Sequence, residues 1–291
     1  MSNHNIVLKH KLNDDEYNAA KQLERICLEH EQTVLKLELG FKRHITAGST
    51  DEHSINDILY YIDEVLVGYI SIFTMGSMTE AELNGMVHPD YRQHGIFKKL
   101  HTEAMKVCKE RKFNHMLLLS DKHSKPGIDF IKALGIRYHH TEYQMKQSGI
   151  CVLQTTDNVS LRKARDIDRQ TIWKMDIDYF GLSAEGQPED LEMLDENHLV
   201  YMIELNGAVI GKIRVEYGKG ISFIYGFGIL PDYRGNGYGK ETLIKTLRLI
   251  NNHGIHQVEL EVESNNENAL QLYKSCGFNE VSVMEYYLYT A

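Results

Sequence analysis

The chain lacks any apolar run long enough to cross a bilayer. The most apolar stretch, Ile221 to Leu230, is short and is interrupted by Ser222, Gly226 and Gly228. No basic segment followed by an apolar one opens it at Met1-Ser2-Asn3-His4-Asn5, so no secretory signal is expected and the cytoplasm is the expected compartment. Proline is scarce, four in 291 residues, which excludes collagen-like and low-complexity classes. Cysteine is scarce too. Cys27, Cys108, Cys151 and Cys276 are far apart, with no CxxC pair and no Cys/His cluster at metal-ligand spacing, so inert thiols in a reducing compartment are expected. The fifteen histidines are scattered, and the adjacent His139 and His140 would point to opposite faces of a strand, so no metal site is expected. Basic charge is short. Residues 1–150 carry 20 acids against 19 bases, and residues 151–291 carry 21 against 13. The second half therefore repels polyanions, which argues against nucleic acid as a partner and leans toward a cationic acceptor.

What the chain does have is a repeat of itself. Val87-His88-Pro89-Asp90-Tyr91-Arg92-Gln93-His94-Gly95 matches Ile229-Leu230-Pro231-Asp232-Tyr233-Arg234-Gly235-Asn236-Gly237 at an offset of 142. The same offset carries Gly127 onto Ala269, Phe130 onto Leu272, Gly135 onto Gly277 and Ile136 onto Phe278. Upstream, Val67-Gly68 matches Ile210-Gly211 at 143, one single-residue gap away. A register held over some seventy residues marks a duplication, and the length suits two domains, each able to bury its own core.

Both copies read alike in secondary structure. An opening strand (6–9; 159–162) precedes a helical region (19–31; 168–179). Two strands follow, broken at Asp63-Glu64 in one copy and at Asn206-Gly207 in the other. A fourth strand ends at Pro89 or Pro231, ahead of a helix with apolar residues Ile96, Leu100, Ala104 and Val107, or Leu243, Ile244, Leu247 and Ile250. A fifth strand (116–119; 258–262), a short helix and a closing strand (137–145; 280–289) complete each copy. The class is α/β, of the α+β kind with a mixed sheet. The expected division is 1–147 for the first copy, a linker at 148–157, and 158–291 for the second.

The second copy places Arg234-Gly235-Asn236-Gly237-Tyr238-Gly239-Lys240 between a strand and an amphipathic helix. Alternate glycines let the backbone approach a ligand and aim successive N–H groups at it. The helix start adds unpaired N–H groups and a positive dipole end, which favours a pyrophosphate. Arg234 adds a charge-assisted contact or pairs with a surface acid. Neither the GxGxxG nor the GxxxxGK[ST] spacing is met. Taken alone, the heptapeptide could equally be a glycine-rich turn without a ligand.

Downstream, Val262, Asn266, Ala269, Leu272, Tyr273, Gly277 and Phe278 follow V-x3-N-x2-A-x2-LY-x3-GF. Together with R-x2-G-x-G, this block resembles the GCN5-related N-acetyltransferase (GNAT) superfamily over roughly the last 130 residues. The resemblance implies two tandem GNAT-like acyl-CoA N-acyltransferase domains, acetyl-CoA as cofactor, and a small-molecule or peptide amine as acceptor attacking directly in a ternary complex. Neither nucleic acid nor membrane is expected as a partner.

By the same resemblance, Ile229 is the position whose backbone contacts the pantetheine and the thioester carbonyl. Arg234, Gly235, Asn236, Gly237, Tyr238, Gly239 and Lys240 form the pyrophosphate loop, and Asn266 meets the cofactor arm. Tyr273 is the acid for the departing thiolate. A phenol near pKa ~10 beside a thiol near ~8.5 is a plausible donor, although Tyr273 could also be a core aromatic. Backbone N–H groups on the fourth strand would stabilise the oxyanion. That strand, Ile221 to Ile229, holds no Asp or Glu, and Glu216, Glu259, Glu261 and Glu263 read as a solvated face, so no general base is assigned.

In the first copy, Val87 and the loop Arg92-Gln93-His94-Gly95-Ile96-Phe97 keep the Arg and central Gly, with Phe97 where Gly or Ala is the pattern. Cofactor binding there remains open. Ser124 stands in the Asn slot and Ile131 in the Tyr slot, so the acid is missing. Glu82 lies on the fourth strand and reads either as a base or as an exposed strand-end acid. The layout resembles the tandem-GNAT architecture found in that superfamily, which does not identify the substrate.

The family's acceptor region corresponds to Asp176-Ile177-Asp178-Tyr179-Phe180-Gly181-Leu182-Ser183-Ala184-Glu185 and on through Glu189-Asp190-Leu191-Glu192. Acids interleaved with aromatics hold a cationic amine, or else form a solvated acidic loop with the aromatics turned inward. Two rival functions stay open: a non-catalytic acyl-CoA sensor or partner-docking module, and an enzyme using a longer acyl-CoA.

Overall fold

The computed structural model describes residues 3–44, 55–74, 79–180 and 197–290. The chain divides into two compact units, Met1–Glu142 with Ser282–Ala291, and Tyr143–Val281.

Unit 1 opens with β1 (His4–Lys9) and α1 (Asp14–Glu31). Asn13 caps α1: its Oδ1 accepts from the Glu16 N–H at 2.8 Å while the Glu16 carboxylate accepts from the Asn13 N–H at 3.0 Å. After α2 (Leu39–His44), a helix the sequence pattern did not reveal, come β2 (Asp57–Ile62), β3 (Val65–Phe73) and β4 (Glu80–Val87). Then follow α3 (Ile96–Glu110), β5 (His115–Asp121), α4 (Lys125–Leu134) and β6 (Arg137–Ser148). The β2–β3 hairpin turns at Asp63 and Glu64, both at positive φ, as its alternating strands and polar break predict.

Unit 2 repeats this order with β7 (Val159–Lys163), α5 (Arg169–Phe180), β8 (His198–Leu205), β9 (Ala208–Tyr217) and β10 (Ser222–Ile229). It continues with α6 (Tyr238–Asn252), β11 (Gln257–Glu263), α7 (Glu267–Ser275) and β12 (Asn279–Thr290). In both units the first four strands are antiparallel neighbours, and the fourth pairs in parallel with the fifth. The parallel pairing is short, Glu80–Leu83 with His115–Leu118 and Ser222–Ile224 with Val258–Leu260. In each unit the pairing thus ends several residues before the glycine loop, at Leu83 and at Ile224.

One face of each sheet packs on the long helix after the loop. In unit 1, Ile58, Val67, Ile70 and Leu83 meet Ile96, Leu100 and Ala104 of α3. In unit 2, Ile213, Val215, Ile224 and Leu260 meet Leu243, Ile244 and Leu247 of α6. The opposite face of unit 1 takes Ala20, Leu23 and Cys27 of α1 against Tyr69 and Met86. The intervals of three and four residues along each helix are those of an apolar stripe on a half-buried helix.

The closing strands differ from expectation. Residues Met284–Thr290 of β12 run antiparallel to Asp121–His115 of β5, so the last strand of the second repeat closes the sheet of unit 1. The C-terminal part of β6 from Tyr143 belongs to unit 2, where β6 neighbours β11. The segment 148–157 lies within unit 2 rather than between two self-contained halves. The physical reason is that both closing strands have the same length and character. Periodicity identifies a strand but not whose unpaired edge it fills. His139 and His140 also depart from the simple alternation: their Nδ1 atoms meet at 2.7 Å, and the His140 ring stacks on Tyr286 at 4.1 Å.

Candidate active site

The glycine loop follows a single 3₁₀ turn, Pro231–Tyr233, that starts where β10 stops. Proline ends the strand ladder and its fixed φ sets up the turn. Gly235 and Gly237 sit at φ 78° and 82°, and no atom lies within 4 Å of where a Cβ would stand on either. α6 then begins at Tyr238, with Gly237 as its N-cap and no side chain capping it. The first N–H groups of a 15-residue helix are thereby left facing an open backbone concavity, which suits an anion. Lys240 and Asn236 are exposed on the loop, and Asn236 folds its Nδ2 back onto the Arg234 carbonyl at 3.0 Å.

Among the described residues, Arg234 is paired with no acid. Its Nε donates to the Ile229 carbonyl at 2.8 Å, and its guanidinium lies 5.8 Å over the ring of Tyr179. The side chain thus ties the loop to the end of β10. Unit 1 repeats the device: Arg92 Nε donates to the Val87 carbonyl at 3.0 Å, and its guanidinium is ion-paired with Glu31 of α1. There Gln93 takes the left-handed conformation at φ 63°, Gly95 is the N-cap at φ 74°, and α3 starts at Ile96. His94 folds back on the Arg92 carbonyl at 2.7 Å, as Asn236 does on that of Arg234.

Phe97 is accommodated by a reciprocal exchange of size. In unit 2, Gly239 faces the ring of Phe227, 3.8 Å from where its Cβ would stand. In unit 1, Phe97 occupies the helix position and Gly85 the strand position, where a Cβ would come within 3.0 Å of the Phe97 ring. Phe97 also meets Phe130 edge-on at 4.8 Å. Both units therefore fill this space with one aromatic ring, supplied from opposite sides.

The units differ in the fourth strand. β4 pairs with β3 in unbroken register from Gly68–Val87 to Phe73–Glu82. β10 slips against β9 between Tyr225 and Gly228. Counted against the neighbouring strand, β10 carries one residue more than β4, and the hairpin before it is two residues shorter. The single-residue gap in the repeat is the sum of these two changes. The slip is a β-bulge, with Gly226 at φ 54°, a conformation costly for any residue with a Cβ.

Beneath the bulge, Asp176 of the expected acceptor segment meets two bases, Lys212 and Arg214, that the sequence pattern did not single out. Lys212 of β9, fully buried, donates from Nζ to the Gly226 carbonyl at 3.1 Å and is ion-paired with Asp176 of α5 at 2.5 Å. Arg214, two residues on, grips the same carboxylate with both terminal nitrogens at 2.8 and 2.6 Å. Burial and the neighbouring Arg214 push the Lys212 ammonium down to about 8, against the pull of Asp176. Burial raises the Asp176 carboxyl, but Arg214 and Lys212 outweigh it and hold the group below its ordinary value. Asp176 is thus neither a free partner for an amine nor a solvated acid. The available signal was Lys212 and Arg214 at alternate positions of a strand whose neighbours Ile210, Ile213 and Val215 are apolar. Tyr179, one turn after Asp176, lays its ring where a Cβ on Gly228 would stand. Residues 181–196, with the rest of the acceptor segment, lie outside the described residues.

Tyr273 sits on α7, 8% exposed, edge-on to Phe278 at 5.9 Å and within the unit 2 core. Burial pushes its hydroxyl up to about 12, so it is a proton-bearing donor at any physiological pH. Asn266 is the N-cap of α7, its Oδ1 accepting from the Ala269 N–H at 3.2 Å. Ile229 is buried with its carbonyl engaged by Arg234. Glu259 is held by Gln144 and Lys146, and Glu216 faces His198. In unit 1, Ser124 takes the N-cap position of α4, and Ile131 is buried in the core. Glu82 is half-buried rather than a strand-end acid, on the sheet face that carries Asn84 and Met86.

Among the described residues, no helix is long and apolar enough to cross a membrane. Comparison with known proteins places the chain. The sequence profile of the acetyltransferase (GNAT) family matches twice, over residues 18–136 and 169–278. A mycothiol acetyltransferase of Arthrobacter sp. (strain FB24) is 22% identical over 267 residues, 80% of each chain. A [ribosomal protein bS18]-alanine N-acetyltransferase of Haemophilus influenzae is 32% identical over 92 residues, 32% of this chain and 62% of that one. Among solved structures, a GCN5-related N-acetyltransferase from Sphaerobacter thermophilus superposes with a TM-score of 0.81 at 15% identity, covering 98% of this chain and 95% of that one. A tandem GNAT protein from the clavulanic acid biosynthesis pathway gives 0.72 at 15% identity, covering 99% and 98%. With a doubled loop-and-helix architecture and the family profile matched in both repeats, the chain belongs to the acetyltransferase (GNAT) family and is a tandem GNAT-type N-acetyltransferase.

Proposed function

We propose that the chain transfers an acetyl group from acetyl-CoA to an amine acceptor by direct attack in a ternary complex, with the chemistry in unit 2. The observation that carries this reading is the gathering of an uncapped helix start, a bulged fourth strand and Tyr273 in that unit, with only the helix start repeated in unit 1. The open backbone at Gly235 and Gly237 fits a pyrophosphate, and the Nδ2 of Asn266 fits an acceptor atom on the cofactor arm. Acetyl-CoA supplies an activated thioester. The protein holds that thioester beside the bulge, where backbone N–H groups outside the β9 register meet the negative charge that develops on its oxygen. Binding the amine in the same cleft replaces a bimolecular encounter by an oriented one. Tyr273 donates its proton toward the departing sulfur. A small-molecule or peptide amine is the acceptor class; it attacks as the neutral free base, and the proton it sheds passes to solvent water. Unit 1 retains the loop geometry for a cofactor while lacking the acid, and it serves for architecture or cofactor retention.

The test is a panel of amines with acetyl-CoA, followed by free-thiol release. Turnover with at least one amine is expected, and Tyr273→Phe is expected to lower it about 10²-fold while acetyl-CoA affinity stays within about threefold. Cofactor binding without turnover on any amine would instead support a sensor, and faster turnover with longer acyl donors would replace the acetyl donor.

A further inference from the structure

The ammonium of Lys212 is expensive to bury, and an apolar residue of its size would pack the α5 face of the sheet at lower cost to folding. Its position therefore calls for a function, and its contacts are specific. One hydrogen bond reaches the carbonyl of Gly226, the residue that β10 has and β4 lacks. A second contact is Asp176, which Arg214 grips on both oxygens and fixes in place.

The consequence lies in the peptide unit that joins Gly226 to Phe227. Carbonyl and N–H point in opposite directions across a planar trans peptide. Lys212 and Asp176 lie on the α5 side of the sheet. The Phe227 ring lies on the other side, near Gly239, Ile229 and Leu272. With the carbonyl drawn toward the ammonium, the Phe227 N–H is turned toward the side that carries the glycine loop and Tyr273. A cation on the carbonyl also polarises the amide and makes its N–H a stronger donor. The two repeats support the link. Where unit 2 has Lys212, unit 1 has Tyr69, whose hydroxyl is bonded to Asp57, and there the fourth strand runs without a bulge.

We propose that Lys212 is a positioning residue for acetyl transfer: anchored by Asp176, it holds the Gly226 carbonyl so that the Phe227 N–H donates to the thioester oxygen. The proposal rests on the reading of unit 2 as the acetyl-CoA site.

The experiment is vibrational difference spectroscopy of acetyl-CoA carrying ¹³C at the thioester carbonyl, bound to the full chain, with CoA affinity measured alongside by calorimetry. In the wild type the bound carbonyl band is expected below its wavenumber in free acetyl-CoA. In Lys212→Met it is expected to return toward the free value, while CoA affinity changes less than about threefold and kcat with the amine found by screening falls about 10- to 100-fold. Lys212→Gln keeps a donor to the carbonyl without the charge, so its band is expected between the two. Only a cofactor bound in unit 2 can respond to these changes, so a second bound cofactor leaves the comparison intact. A band at the wild-type position in folded Lys212→Met, or in Lys212→Gln should the Met variant fail to fold, overturns the proposal. Failure of the wild type to bind acetyl-CoA overturns the underlying reading instead, and shows itself before any variant is made.

Discussion

A buried phenol and a buried ammonium shape unit 2 at the scale of single residues, and their protonation has opposite consequences. Burial pushes the Tyr273 hydroxyl up to about 12 from an ordinary value near 10, so folding favours its neutral form. The stability this contributes is fully present below pH 10 and is lost as pH rises through 12. It amounts to about 3 kcal/mol at most for two pKa units. Tyr273→Phe should accordingly flatten part of the alkaline decline in unfolding free energy between pH 10 and 12, measured by denaturant titration. A slope identical to the wild type would mean the hydroxyl is solvated. For the same reason, turnover with a weakly basic amine should show no alkaline loss below pH 10 attributable to the phenol. Lys212 runs the other way. Its ammonium is pushed down to about 8, so the cost of burying it is present at neutral pH and is relieved as pH rises past that value.

Among the elements, β10 separates the unit that carries Tyr273 from the unit that carries Ile131 in its place. Gly226 can hold φ 54° without strain, and a Cβ there would stand 2.6 Å from the Arg214 guanidinium. Gly226→Ala should therefore cost about 1–3 kcal/mol of stability and lower kcat more than it raises the KM for acetyl-CoA. The thermal midpoint and the kinetic split check this, and an unchanged kcat would detach the bulge from the chemistry. The elements themselves were legible: polar breaks at Asp63-Glu64 and Asn206-Gly207, prolines at 89 and 231, and apolar stripes along α3 and α6 gave nearly every strand and helix within a few residues. The glycine loop and α7 were legible because turn chemistry and capping act locally. The bulge was hidden because a shorter hairpin nearly cancels the inserted residue in a linear alignment. Lys212 and Arg214 beneath it were hidden because burial depends on which sheet face a helix covers.

For the whole molecule, the duplication was legible and the path of the chain was not. An alternating strand announces two faces but not the edge it joins, so the crossed assignment of the closing strands left no trace in the sequence pattern. It nonetheless governs stability. In unit 1, Met284 and Tyr286 of β12 pack with Leu117 and Leu119 of β5, and Leu288 lies against them. The Tyr286 hydroxyl donates to Glu142 at 2.6 Å and meets Lys36 at 2.9 Å. Removing residues 282–291 would expose β5 as an open edge and uncover these side chains. At about 1.5–3 kcal/mol for each large apolar side chain, the loss is on the order of 5–8 kcal/mol. That is comparable with the whole stability of an ordinary domain. A chain ending at Val281 should therefore lose amide-exchange protection in β5 and β4, far away in sequence, while β8 to β11 keep theirs. If each repeat instead closed its own sheet, the same truncation would strip protection from β11 and spare β5.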